Sequence, residues 1–148
     1  MDRQPIDLSA ILPYRLALLS RAVQDLLVSA LDACGLTVAQ WRVYLCLAQK
    51  GPSTLNEVVA FTRLPQSSLS RTIARMDERG MVRSARNPED RRRSVIEITA
   101  EGRRQLDEAI AAVNRTCEEA LALNPEERAR FQATVEDLLA RVSGRSED

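Results

Sequence analysis

Between Met81 and Thr99 the sequence changes its period. On both sides, apolar residues recur every three to four positions. Inside this window they alternate with polar ones, as in "RSVIEIT" from Arg93 to Thr99. Alternation of period two marks a half-buried strand, whereas the 3.6-residue repeat marks an amphipathic helix. The stretches "MVRSARN" and "RSVIEIT" therefore read as two strands joined by a turn around Pro88 to Arg92. One hairpin set in a helical chain restricts the fold to a mainly α architecture with a small β element.

The helices are delimited by their own punctuation. Leu8 to Leu12 forms a short entry turn, and a long helix follows to about Ala33. Pro13 is tolerated in its first turn. Its apolar positions are Leu16, Leu19, Val23, Leu26, Leu27, Ala30 and Leu31, and Gly35 ends it. Thr37 and Gln40 have capping-box spacing and open a second helix, with Trp41, Tyr44, Leu45 and Ala48 as its apolar stripe and Gly51-Pro52 as its stop. Thr54 and Glu57 repeat the capping box before a short third helix, Leu55 to Thr62. After the turn Arg63-Leu64, Pro65 is the expected first residue of a fourth helix that runs to Arg79 and closes at Gly80. Leu69, Ile73 and Met76 should face the core; Gln66, Ser67, Ser70, Arg71, Ala74 and Arg75 fall on the opposite face. Beyond the hairpin, Thr99 is expected to begin a helix to about Leu123. Asn124-Pro125 starts a last one to about Val142, followed by a frayed tail.

Charge is distributed unevenly. The 148 residues have no net charge, yet Arg63 to Arg93 contains nine arginines against Asp77, Glu78, Glu89 and Asp90. That local balance of +5 leaves −5 on the remainder, so one basic face suited to a polyanion sits on a soluble body. Three arginines, Arg91, Arg92 and Arg93, stand together at the hairpin turn. Histidine is absent, which removes the commonest general base and metal ligand. With no coherent nucleophile–base pair either, the reading is of a non-enzyme that needs neither metal nor cofactor. Cys34, Cys46 and Cys117 are too few and too scattered for a disulfide framework, which fits a reducing cytoplasm. No apolar run approaches the ~20 residues of a membrane span, and the N-terminus lacks the apolar segment and cleavage site of a signal peptide.

Two helices joined by a short turn and followed by a strand–turn–strand make a winged helix-turn-helix. The second helix of such a pair enters the DNA major groove and reads bases with its N-terminal half. Arg71 suits a bidentate contact with guanine and Gln66 one with adenine. Ser67, Ser68 and Ser70 are short enough to reach bases or phosphates, and Arg75 lies further along the same face. The hairpin's basic tip would then meet a phosphate or a narrow minor groove. The alternative is a winged-helix module that uses its arginines on an acidic protein. An interface of that kind favours exposed aromatics and methionine, and only 3% of the chain is aromatic.

The stretch "NPEDRRRSVIEITAEG" resembles the wing signature of the MarR family of bacterial transcription regulators, carried here by Asp90, Arg92, Ile98 and Thr99 and continuing into Glu101-Gly102. "LPQSSLSRTIARMDERGMVR" resembles that family's recognition helix, and "GLTVAQWRVYLCLAQKGPSTLNEVV" the segment before it. The resemblance covers roughly Leu8 to Val142. It implies a homodimer on pseudo-palindromic double-stranded DNA, usually repressing. It also implies a division into residues 1–36 (N-terminal dimerisation helix), 37–99 (DNA-binding lobe) and 100–148 (C-terminal dimerisation helices and tail). By the same resemblance Arg92 enters the minor groove and Asp90 holds it, while Arg91 and Arg93 meet phosphate or stay on the hairpin surface. The apolar stripes Ile110, Val113 and Leu121, then Phe131, Val135, Leu138, Leu139 and Val142, exceed what a small lobe covers and agree with dimerisation. A small aromatic or anionic ligand is implied between the dimer helices and the lobe. Tyr14, Arg15, Leu18, Trp41 and Tyr44 have the chemistry for an aromatic carboxylate there. Against this, Trp41 and Tyr44 also read as plain core, Arg15 as a salt-bridge or solvated arginine, and the cysteines as structural.

Overall fold

The computed structural model describes residues 7–86 and 94–144. The expected turn from Pro88 to Arg92, and with it Asp90, Arg91, Arg92 and Arg93, lies outside the described residues, as does the end of the tail. A short 3-10 turn, Leu8–Ala10, precedes α1 (Leu12–Ala33), α2 (Val38–Lys50), β1 (Ser53–Thr54), α3 (Leu55–Thr62), α4 (Gln66–Glu78), β2 (Val82–Arg86), β3 (Ser94–Ile98), α5 (Ala100–Leu121) and α6 (Pro125–Ser143). The chain divides into two compact units, residues 1–116 and 117–148.

Local chemistry sets the helix starts. Capping boxes are complete at Thr37/Gln40, Thr54/Glu57 and Asn124/Glu127: each N-cap side chain accepts the N3 amide, and each N3 side chain accepts the N-cap amide. Gly35, Gly51 and Gly80 take positive φ where helices end. Pro65 differs from expectation by one residue. Its ψ of 134° is extended, so it caps α4 from outside, and its carbonyl accepts the amides of Ser68 (3.0 Å) and Leu69 (3.1 Å). Thr99 likewise precedes α5, its hydroxyl accepting the Gly102 amide at 3.0 Å. α5 stops at Leu121, earlier than expected, before Ala122 turns to φ 48°.

In the first unit, α2, α3 and α4 pack around a core of Leu31, Leu36, Val43, Tyr44, Leu47, Val58, Leu69, Ile73, Met76, Val82, Ile96 and Leu106. The face of α2 is rotated from the expected stripe. Val43, Tyr44, Cys46 and Leu47 are buried, Trp41 and Leu45 are half-buried, and Ala48 is exposed. α2 meets α3, α4 and the sheet together, so it is covered on a broader arc than a single stripe. The sheet has order β1-β3-β2 and is antiparallel throughout, with Val82 opposite Ile98 and Ser53 opposite Ile96. β1 is too short to show a period and was not expected from sequence. It pairs the outer edge of β3, so the wing is anchored to the start of α3.

Only the C-terminal end of α1 joins this core. Ala30 and Leu31 are buried, Leu26 and Leu27 half-buried, while Leu16, Leu19 and Val23 remain exposed. In the second unit, α6 buries none of its residues and exposes Phe131, Val135, Leu138, Leu139 and Val142. Both helices therefore carry apolar surface that this single chain leaves in water.

One contact ties α4, the hairpin and α5 together. The Thr99 hydroxyl is 2.7 Å from the Gly80 carbonyl and 3.0 Å from that of Met81, and the Thr99 amide donates to the Met81 carbonyl at 3.2 Å. α5 approaches so closely that a Cβ on Gly102 would lie 2.0 Å from the Met81 oxygen. Because that obstacle is backbone, Gly102→Ala should cost about 2–3 kcal/mol. Urea denaturation checks this; a loss under about 0.5 kcal/mol would mean the joint yields.

Candidate nucleic-acid interface

α4 separates its chemistry by face. Leu69, Ile73 and Met76 are buried, as their spacing required. Gln66, Ser67, Ser68, Ser70, Arg71, Ala74 and Arg75 are exposed together on the other side. The helix is thus fixed from behind by apolar packing while its polar side chains stay free. Arg71 is partly pre-arranged: its Nε donates to the Ser67 carbonyl at 3.2 Å, one turn earlier, and leaves the two terminal nitrogens for a partner. Neither Arg71 nor Arg75 has an ion-pair partner among the described residues. The outer face shows no exposed aromatic or methionine.

The hairpin flanks this helix. Arg83 and Glu97 pair across β2 and β3 at 3.0 Å, and Ser84 stands opposite Ile96. A shallow cleft of about 290 Å³ runs between α4 and the sheet, lined by Leu55, Ser70, Ile73, Ala74, Ser84 and Ile96 among others. A rigid helix beside a strand pair is the geometry in which one element enters a groove and the other reaches the neighbouring backbone.

The five candidate ligand residues are less unified. Tyr14, Arg15 and Leu18 lie on the exposed first half of α1. Trp41 is half-buried against the core. Tyr44 takes the plain-core alternative: it is completely buried, and its hydroxyl donates to Gln105 Oε1 at 2.7 Å. The ring fills the core and the hydroxyl is already satisfied, so Tyr44 offers no surface to a ligand in this conformation. Sequence spacing could not reveal Gln105, which lies 61 positions away.

The same burial controls two titrations. Burial, assisted by the negative charge of Glu101, pushes the Tyr44 phenol up to about 12 from 10.0. Burial also raises the Cys46 thiol, with the Ser53 hydroxyl and Lys50 opposing it, which favours the inert structural role. None of the three cysteines is in a disulfide.

The residues 35–93 match a family model described as the MarR family. The transcriptional regulator HosA of Escherichia coli O111:H- is 31% identical over 105 residues, which is 70% of this chain and 78% of that protein. The HTH-type transcriptional repressor NicR of Pseudomonas putida KT2440 is 30% identical over 94 residues, 63% of this chain but only 60% of that protein, under two thirds of its length. Among solved structures, CouR from Rhodococcus jostii RHA1, bound to p-coumaroyl-CoA, superposes with a TM-score of 0.73 at 25% identity, covering 90% of this chain and 95% of that one.

The raised phenol has a sign that can be measured. Folding favours neutral Tyr44, so its contribution is complete below pH 10 and is lost as pH climbs from there to about 12. Tyr44→Phe should lower stability by about 1 kcal/mol near neutrality. It should also show a shallower alkaline decline than the wild type when melting temperature is followed against pH. Parallel alkaline curves would remove Tyr44 as the cause.

Proposed function

The chain belongs to the MarR family of transcriptional regulators, and on that premise we propose a sequence-specific DNA-binding repressor that acts in the cytoplasm as a homodimer on a pseudo-palindromic operator and is released by a small aromatic or anionic ligand. The observation that carries DNA reading is the outer face of α4, with Gln66, the serines and two arginines that have no ion-pair partner among the described residues exposed on a helix locked from behind. Repression is supported by NicR, itself a repressor. The use of this lobe for protein contact is not supported, since its relatives regulate transcription and the face lacks aromatic anchors.

Dimerisation is proposed through residues 1–36 and 100–148, with 37–99 as the reading lobe. The exposed apolar side chains of α1, and separately those of α6, support it, because surface of that extent is characteristic of an interface. A two-fold dimer sets its two α4 helices about one DNA turn, ~34 Å, apart. Arg92 is proposed for the minor groove with Asp90 holding it, and Arg91 and Arg93 for phosphate.

Selection of bound fragments from a genomic library, followed by titration of the recovered duplex, tests this reading. Two chains should bind each site. Gln66→Ala and Arg71→Ala should each relax preference at particular base pairs, by about 1–3 kcal/mol per bidentate pairing with a base edge. Arg92→Ala should weaken all sequences alike and flatten the salt dependence. Equal weakening by all three variants on every sequence would remove α4 as the reading element.

For the effector, CouR bound to p-coumaroyl-CoA supports a ligand-carrying member. We place an aromatic carboxylate against Tyr14, Leu18 and Trp41, with Arg15 on the carboxylate; Tyr44 is buried in the core. A coupling of ~1–3 kcal/mol lowers DNA affinity ~5–150-fold, enough for release. Arg15→Ala should abolish release by an effector found in a screen of aromatic acids, with ligand-free DNA binding unchanged. Release at the wild-type concentration would place the pocket elsewhere.

A further inference from the structure

The turn that leads into α4 is held from several sides. Thr62 is buried; its hydroxyl donates to the Val58 carbonyl at 2.8 Å and accepts the Leu64 amide at 3.3 Å. The Thr62 carbonyl accepts Nη1 of Arg42 at 3.4 Å, and the Arg63 amide donates to the Val59 carbonyl at 2.9 Å. Between these anchors Arg63 has φ 55° and ψ 27°, the left-handed region. Glycine takes that conformation without cost, and a residue with a Cβ does not. Arg63 is exposed and has no ion-pair partner among the described residues. Nothing in the turn's own stability calls for an arginine there, and a glycine would suit the backbone better.

We infer that Arg63 is a further DNA-contacting residue, a phosphate anchor at the head of the recognition helix. This rests on the reading of α4 as the DNA-reading element. Only Leu64 and Pro65 separate Arg63 from Gln66, where α4 begins, and Arg71 follows on the same helix. Phosphate contacts set the register and tilt of a protein on the duplex, while base contacts specify sequence. A cation on a rigid turn performs that task with little ordering cost, because its backbone is already fixed. Backbone strain is then the local cost of having a positive charge at this point, and strained residues of this kind cluster at binding sites.

The strain makes the test separable from folding. Arg63→Gly removes the charge and relieves the turn, so stability and binding should move in opposite directions. The melting temperature should stay level or rise. Affinity for a short duplex of scrambled sequence should fall roughly tenfold at low salt, and the slope of log affinity against log salt should flatten by about one per protomer. Arg63→Asn, which also tolerates the left-handed region, should behave in the same way, and Arg63→Lys should keep the wild-type slope. If the glycine and asparagine variants are folded and bind the duplex with wild-type affinity and slope, the inference is overturned although the DNA-binding reading stands. If the wild type itself binds neither the scrambled duplex nor any genomic fragment, that reading falls first, and Arg63 with it.

Discussion

The meeting of α4, the strand pair and α5 at the Gly80–Met81 backbone is the constraint on which the rest of the first unit depends. Two carbonyls there lie within hydrogen-bond reach of one hydroxyl, that of Thr99, and the same hydroxyl accepts the first-turn amide of Gly102. The approach leaves no room for a Cβ at position 102. These contacts are short and directional, and each has a backbone group at one end, so they tolerate less stretching than apolar packing does. The end of α4 is thereby tied to the start of the long helix α5. A displacement of one would strain these contacts to the other.

Tyr44 supplies a second tie of the same kind, deeper in the core. Its buried ring packs among the residues of α2, α3 and α4, while its hydroxyl reaches Gln105 on α5. A side chain whose chemistry suits an aromatic ligand instead braces the lobe against the helix. Burial explains both its geometry and its raised pKa, because a phenolate in that site would be desolvated and would face the charge of Glu101. Against these fixed elements, the outer face of α4 is free to serve recognition. Its buried face is Leu69, Ile73 and Met76, so Gln66, Ser67, Ser70 and Arg75 opposite them stay exposed.

Much of this was legible residue by residue. Thr37, Thr54 and Asn124 announced their helices because capping is a contest settled within four residues. The core stripe of α4 was readable because three apolar residues at helical spacing have one common face. The winged helix-turn-helix followed from the order of those elements. Other features had no local signal. β1 is two residues long and exists only because β3 offers it an edge. The burial of Val43 and Leu47 in place of Ala48 depends on how many neighbours surround α2. The partnership of Tyr44 with Gln105, and the crowding at Gly102, arise between segments far apart in sequence.

Taken alone, the sequence determined the helix boundaries to within a residue or two, the paired strands, the two faces of α4 and the concentration of arginine around it. Periodicity, capping and charge act over a few residues, and a linear reading captures them. The tertiary structure decided which apolar surfaces are core and which are left over: Leu31 is buried while Leu16 on the same helix is not. It also decided that Tyr44 is a brace and that Arg63 occupies a left-handed turn just before α4. Those outcomes depend on what packs against each residue from elsewhere in the chain, and that is a property of three-dimensional neighbours rather than of sequence neighbours.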